Sequence, residues 1–254
     1  MTKMTGAAAL LGLALSCAAW AQQPAPQAVW TPASGAPKGL LTDLEGRHHD
    51  LFIDKAKAGG IDIVFFGSTT AEMWLWQDRG HQVWDQTFGS LKATSFGSAG
   101  THFESLLWRM QHGELDGYQA KLVVVQAQNG PFAGLDGRAP WMGGTAVRDS
   151  DLADHGYVSK YAAIIAEIRA RQPQARILLF GVFPRYQTDA EPAVENAALA
   201  KLADNQTVFF VDMTRRFFRA DGSFDDGMWS GGVREPAFKA WAEELQPWLD
   251  RFVR

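Results

Sequence analysis

Four short segments of this 254-residue chain gather groups able to do chemistry: Gly67-Ser68-Thr69-Thr70, Phe96 to Thr101 (FGSAGT), Gln126 to Gly130 (QAQNG) and Phe224 to Trp229 (FDDGMW). Together they offer hydroxyls, amides, glycine N–H groups, a carboxylate and an indole. Acyl transfer by a hydroxyl needs more than that. The alcohol is a weak nucleophile until an imidazole takes its proton, a carboxylate orients that imidazole, and convergent donors stabilise the oxyanion. Of His48, His49, His81, His102, His112 and His155, only His102 stands beside one of the four segments. It reads either as a surface histidine where a loop enters a helix or as a base, which would have to reach hydrogen-bond distance of the nucleophile.

Other chemistries are excluded by composition. His48 and His49 are adjacent, and neither an HExxH pattern nor a Cys-His cluster occurs, so no metal site is expected. Neither GxGxxG nor GxxxxGKS is present, so no nucleotide and no cofactor is expected. The single cysteine, Cys17, leaves no disulfide or thiolate chemistry downstream. A formal net charge of −4 without a basic run argues against nucleic acid as a partner. Beyond the N-terminus no apolar run is long enough to span a bilayer, so no transmembrane segment is expected. Oligomeric state is not encoded in any of these features.

The elements that must position the four segments follow from hydrophobic patterning. Ile61–Phe66, Lys121–Val125, Arg176–Phe180 and Thr207–Val211 are short β-branched and aromatic runs, as buried parallel strands should be. Between them Thr70–Trp76, Phe103–Met110 and Tyr157–Arg171 carry helical patterning, with Tyr161, Ile164, Ile165 and Ile168 on one face, and Pro236–Val253 closes the chain as an amphipathic helix. Alternating strands and helices predict an α/β fold, a three-layer α/β/α sandwich with a central parallel sheet of flavodoxin-like type. In such a sheet ligands bind outside the carboxyl ends of the strands, which is where the first three segments begin. Gly130–Gly144 is the longest irregular stretch and is expected to line the site.

Residues 1–21 have one basic residue, an apolar core (GAAALLGLA) and Ala19-Trp20-Ala21, the order of a signal peptide cleaved after Ala21. Ala14-Leu15-Ser16-Cys17 offers a lipoprotein-type alternative. The expected organisation is leader 1–21, extended lead-in 22–45 and one domain over 46–254, with a periplasmic or secreted destination.

From about His48 to Trp248 the sequence resembles the SGNH or GDSL hydrolases. The branch concerned is that of the platelet-activating-factor acetylhydrolase catalytic subunits and related bacterial esterases. SFGSAG, LLWRM, GELDG and KLVVV follow one another at family spacing, and RQPQARILLFGVFPR is a second close match. The resemblance implies a cofactor-free enzyme that cleaves small acyl esters with a Ser-His-Asp triad.

Carried over residue by residue, it also implies departures. Gly-Asp-Ser becomes Gly67-Ser68-Thr69, which places at the nucleophile position a threonine whose β-methyl stiffens χ1. Thr69 also reads as a polar cap on the following helix. Gly100 falls where the family supplies an oxyanion-hole N–H. The family Asn falls on Gly130 in an ungapped register, or on Asn129 after a one-residue slip. Asp-x-x-His becomes Asp226-Gly227-Met228-Trp229, so the carboxylate stays while an indole, with a donor and no basic nitrogen, replaces the imidazole. Asp226 can equally brace a turn. In a comparable hydrolase, losing the base alone costs roughly 10⁶ in turnover.

Trp74, Trp76, Trp141 and Trp229 read equally as core or as flat faces for an acyl chain or sugar ring, whereas the spacing of Trp108, Trp241 and Trp248 assigns them to the core. The expectation is therefore an exported SGNH-fold protein, catalytically silent or impaired, that keeps a cleft for a small acylated molecule or a glycan. Thr69, Gly100, Asn129 and Asp226 would be vestiges of the machinery, with Ser68, His102, Gly130 and Trp229 as ligand contacts. The alternative is an active carboxylester hydrolase using Thr69 or Ser68 with a relocated base such as His102.

Overall fold

The computed structural model describes residues 36–37, 39–127, 157–187 and 191–254. Five strands, β1 (Ile63–Phe66), β2 (Ala93–Ser95), β3 (Leu122–Gln126), β4 (Arg176–Phe180) and β5 (Val208–Val211), form one sheet in the order β2-β1-β3-β4-β5. All its pairings are parallel. Four of the strands are those expected from their apolar runs. The fifth, β2, was not expected: Ala-Thr-Ser carries no apolar run, because an edge strand only half covered does not need one.

Strand periodicity sorts the side chains onto two faces. Val64, Phe66, Val123, Val125, Ile177 and Leu179 enter one core with Tyr161, Ile164 and Ile168 of α5 (Tyr157–Arg171) and with Leu106 of α4 (Phe103–Arg109). Ile63, Phe65, Leu122, Val124, Leu178 and Phe180 enter the other with α3 (His81–Phe88) and α7 (Glu235–Phe252). Helices thus cover both faces, which is the three-layer architecture expected.

On the second face Trp74 is fully buried, with ring centroids 4.7 Å from Phe238 and 5.0 Å from Trp241. Of the tryptophans that could have been core or ligand contact, this one is core. Trp241 is also fully buried, whereas Trp108 and Trp248 are only half-buried: Trp108 stacks on His112 and Trp248 packs on Phe209. Trp248 packs on the core as its spacing predicted, whereas Trp108 does not join either core cluster and stacks on His112 instead.

The first helix, α1 (Asp43–Ala58), begins before residue 46 because Thr42 and Glu45 form a reciprocal capping box at its N-terminus. It is held to the domain by buried polar groups. His49 Nδ1 lies 2.8 Å from Glu114 Oε1, Arg109 Nε lies 3.6 Å from the same oxygen, and Ser105 Oγ donates to Glu45 Oε1 at 2.7 Å. All five side chains are fully buried. α6 (Glu191–Leu199) lies between β4 and β5 in the chain, with Asn196 buried. Among the described residues no helix is long and apolar enough to cross a membrane.

Candidate functional site

The chain runs from β1 to β2 on one side and returns to β3 on the other, so the sheet's topological switch lies between β1 and β3, the place where open α/β sheets leave a crevice. Directly after β1, Ser68 is the N-cap of a single helical turn, α2 (Thr69–Glu72), which continues into a 3-10 turn at Met73–Leu75. Burial of Trp74 in that turn anchors it. The backbone carbonyl of Ser68 accepts from Ala71 and Glu72, but its side chain makes no capping hydrogen bond. Among the described residues none of the hydroxyls of Ser68, Thr69 and Thr70 has a hydrogen-bond partner, so the expected capping role of Thr69 is not what the structure shows. Thr69 is the first helical residue, one position past the cap.

These residues border two adjoining cavities. The larger, of about 510 Å³, is walled by Thr69, Thr70, Met73, Arg185, Trp229 and Gly232, among others. The smaller, of about 220 Å³, is walled by Ser68, Thr69, Thr70, Gln126, Phe183 and Trp229, with Ala127. Thr69, Thr70 and Trp229 belong to both.

Trp229 is carried by a tight turn in which Trp229 and Val233 form an antiparallel bridge and Ser230 N–H donates to Gly232 O. Gly232 has φ +136°, and a Cβ there would fall 2.5 Å from Met73 Cε, so this position requires glycine. Arg79 clips the turn from outside, donating through Nη1 to Ser230 O at 3.3 Å and Val233 O at 3.5 Å. On the opposite wall, the segment after β4 is clamped by Asn196. Its Oδ1 accepts from Val182 N at 2.7 Å, and its Nδ2 donates to Val182 O at 3.1 Å.

Phe96–Gly100, the segment after β2, is tied on every side. Phe96 O accepts from Arg109 Nη2, Ser98 Oγ lies 3.0 Å from His48 Nδ1, and Ala99 N–H donates to Glu72 Oε2 at 2.5 Å. Gly97 lets this segment lie against α2, since a Cβ there would fall 2.4 Å from Glu72 N. Gly100 has φ +82° and is exposed, and it borders neither cavity.

Of the residues singled out from the sequence, Ser68, Thr69 and Trp229 therefore meet in one place. His102 does not join them: it is exposed at the N-terminus of α4, with its backbone N–H donating to Ser105 Oγ at 2.9 Å. Asp226 is exposed in the turn Asp225–Met228 and borders neither cavity; it is Asp225 that braces that turn and pairs with Arg219. Asn129, Gly130 and Trp141 lie outside the described residues. No histidine lines either cavity among the described residues. His48 and Ser98 do form a serine–histidine pair, but Ser98 is fully buried and borders neither cavity, so the pair fastens α1 to the loop.

Gln126, which opens the QAQNG segment, lines the smaller cavity, whereas sequence reasoning missed Arg185, Met73 and the Gly231-Gly232 pair as wall residues. For Gln126 a signal existed, a lone amide ending an otherwise apolar strand.

Residues 65–234 match the GDSL-like Lipase/Acylhydrolase family. The chain belongs to that family. It is 27% identical over 187 residues to the platelet-activating factor acetylhydrolase IB subunit alpha1 of Bos taurus and of Homo sapiens, covering 69% of this chain and 68% of each relative. The alpha2 subunit of Rattus norvegicus is 26% identical over 183 residues, with 69% of both chains covered. Its fold is also that of a platelet activating factor protein from Streptococcus pneumonia, with a TM-score of 0.60 at 16% identity over 81% of this chain and 92% of that one. A GDSL-like lipase from Bacteroides thetaiotaomicron superposes with a TM-score of 0.56 at 14% identity, over 82% and 97% of the two chains. A third solved structure of similar fold, a carbohydrate esterase whose active site is described as displaying divergent catalytic and non-catalytic binding functions, has a TM-score of 0.50 at 11% identity, covering 76% of this chain and 69% of its own.

Proposed function

We propose that this GDSL-family protein is exported, that its ester-cleaving machinery is silent or severely impaired, and that its cleft binds an acylated molecule or a glycan. The observation that carries the reading is that Thr69 and Trp229, at the family's nucleophile and base positions, wall the same cavity while no histidine does so among the described residues. An unassisted alcohol at neutral pH holds its proton, and an indole N–H can donate to a ligand but cannot relieve the alcohol of that proton. The same two side chains are suited to binding: the indole gives a flat apolar face with one donor, and the hydroxyls are unpaired. The carbohydrate esterase among the structural neighbours, described as combining catalytic with non-catalytic binding functions, supports a binding role on this fold. Export rests on the leader-like residues 1–21.

Purified protein given p-nitrophenyl acetate and acetylated sugars should show no turnover above that of the Thr69→Ala variant. Robust cleavage abolished by Thr69→Ala or Ser68→Ala would overturn the reading in favour of an active carboxylester hydrolase. A thermal-shift screen with acylated sugars should give a hit that Trp229→Ala weakens about tenfold in affinity, the size of one lost aromatic contact. Fractionation of expressing cells should place the protein outside the cytoplasm with its N-terminus at Gln22.

A further inference from the structure

The two cavities differ in chemistry, and one residue carries the difference. Gln126 ends β3 and is 4% exposed. Its Nε2 donates to Ala127 O and to Gly181 O, each at 2.8 Å, which uses both amide hydrogens and fixes the orientation of the group. Its Oε1 is buried without a donor among the described residues. A buried acceptor left unmatched is destabilising, so a group that supplies the donor recovers free energy on binding. Gln126 belongs to the wall of the smaller cavity and not of the larger one. Around that smaller cavity Ser68, Thr69 and Thr70 offer hydroxyls that can donate or accept. The larger cavity shares Thr69, Thr70 and the indole of Trp229 with the smaller one, and in place of Ser68 and Gln126 it has Met73 and the Gly231-Gly232 backbone, beside Arg185 and Tyr186.

We propose that the cleft is divided by function: the smaller compartment holds a hydroxyl-bearing group, one of whose O–H bonds donates to Gln126 Oε1, and the larger compartment holds the attached acyl or alkyl chain against Trp229 and Met73. Gln126 is then the residue that makes the site select a polyol or sugar over an apolar or ether-capped equivalent. This rests on the binding role proposed above and adds the substrate class and the selecting atom. An apolar residue in place of Gln126 would leave a pocket unable to reject the capped ligand, whereas a site built around a fixed acceptor does reject it.

The test uses two probes with the same chain that no esterase can cleave, n-hexyl β-D-glucopyranoside and its per-O-methylated counterpart, below micelle-forming concentration. Binding is read by the fluorescence of Trp229 against the Trp229→Phe background and by calorimetry. The full-length mature protein should bind the free glucoside about tenfold more tightly than the methylated one, the worth of one hydrogen bond to a buried acceptor. Gln126→Met should bring the ratio of the two affinities to about one. A purely structural role of Gln126 would weaken both probes alike and would overturn the assignment. Should Gln126→Met fail to fold, the wild-type preference alone decides: equal affinity for the two probes overturns the inference, while the binding role survives if Trp229→Ala weakens both. Binding of neither probe overturns the divided cleft, and the screen with acylated sugars then judges the binding role by itself.

Discussion

The loop Phe96–Gly100 and the turn Ser68–Thr70 are neighbours at the end of β1, joined by a Ser98 N–H to Gly67 O hydrogen bond, yet they treat their polar groups in opposite ways. In the loop, Phe96 O, Ser98 Oγ and Ala99 N–H are each taken by Arg109, His48 and Glu72. In the turn, the hydroxyls are left open and face cavities. Both segments are candidate site segments by sequence, so sequence alone does not say which has a role toward ligands. The allocation of hydrogen bonds does. Polar groups committed to the fold hold geometry, and groups left unpaired beside a cavity are those a ligand can use.

That contrast can be broken most forcefully on the committed side. Glu114 is fully buried between His49 and Arg109, so Glu114→Ala leaves a buried guanidinium unpaired and should cost about 3–5 kcal/mol in denaturant unfolding. A loss below about 1 kcal/mol would mean that the network is not what fastens α1 and the loop. Trp74→Ala, which opens a cavity directly beneath α2, should cost a similar 3–5 kcal/mol and weaken probe binding, because it loosens the turn that carries Thr69. Loss of stability with affinity unchanged would separate the turn from the core beneath it.

A smaller effect is expected at Asp204, remote from both regions. Burial opposes its ionisation, but the N–H groups of Val208, Gln206 and Thr207 and the Thr207 hydroxyl outweigh it and hold the carboxyl well below the usual carboxylate range. A lowered pKa in the folded state means that the stabilisation is complete above the unfolded carboxylate value of about 4 and fades as pH falls through the folded value. Asp204→Asn should therefore be less stable than wild type at neutral pH, with the gap narrowing on acidification. A gap that stays constant down to strongly acid pH would show that ionisation of Asp204 contributes nothing. The smallest effect belongs to the open turn: Thr69→Ala and Thr70→Val should each change stability by less than about 0.5 kcal/mol, since neither hydroxyl has a partner to lose. A larger loss in either would place that hydroxyl on the committed side after all.

Much of the frame was legible without coordinates. The runs IDIVFF, KLVVV and RILLF announce strands buried on both faces because such strands must be apolar throughout, TVFFV announces β5 although that strand is an edge and only partly covered, and the helical pattern of Tyr157–Arg171 ends where its helix does. The edge strand was not legible, since half-covered Ala-Thr-Ser needs no hydrophobic run. At the site, Ser68, Thr69 and Trp229 could be singled out as candidates from the segments that contain them, and all three line the smaller cavity. The distance of His102 and Asp226 from the cavity walls could not.

What the sequence determined by itself is the sheet-and-helix order and the family, because these depend on residue type and local periodicity. Tertiary structure alone decided that Trp74 is core while Trp229 faces a cleft, that Ser98 is spent on His48 while Thr69 is free, and that Gln126 keeps an unmatched acceptor. Burial and hydrogen-bond pairing are properties of neighbours distant in the chain, and identical side chains acquire different fates only once those neighbours arrive.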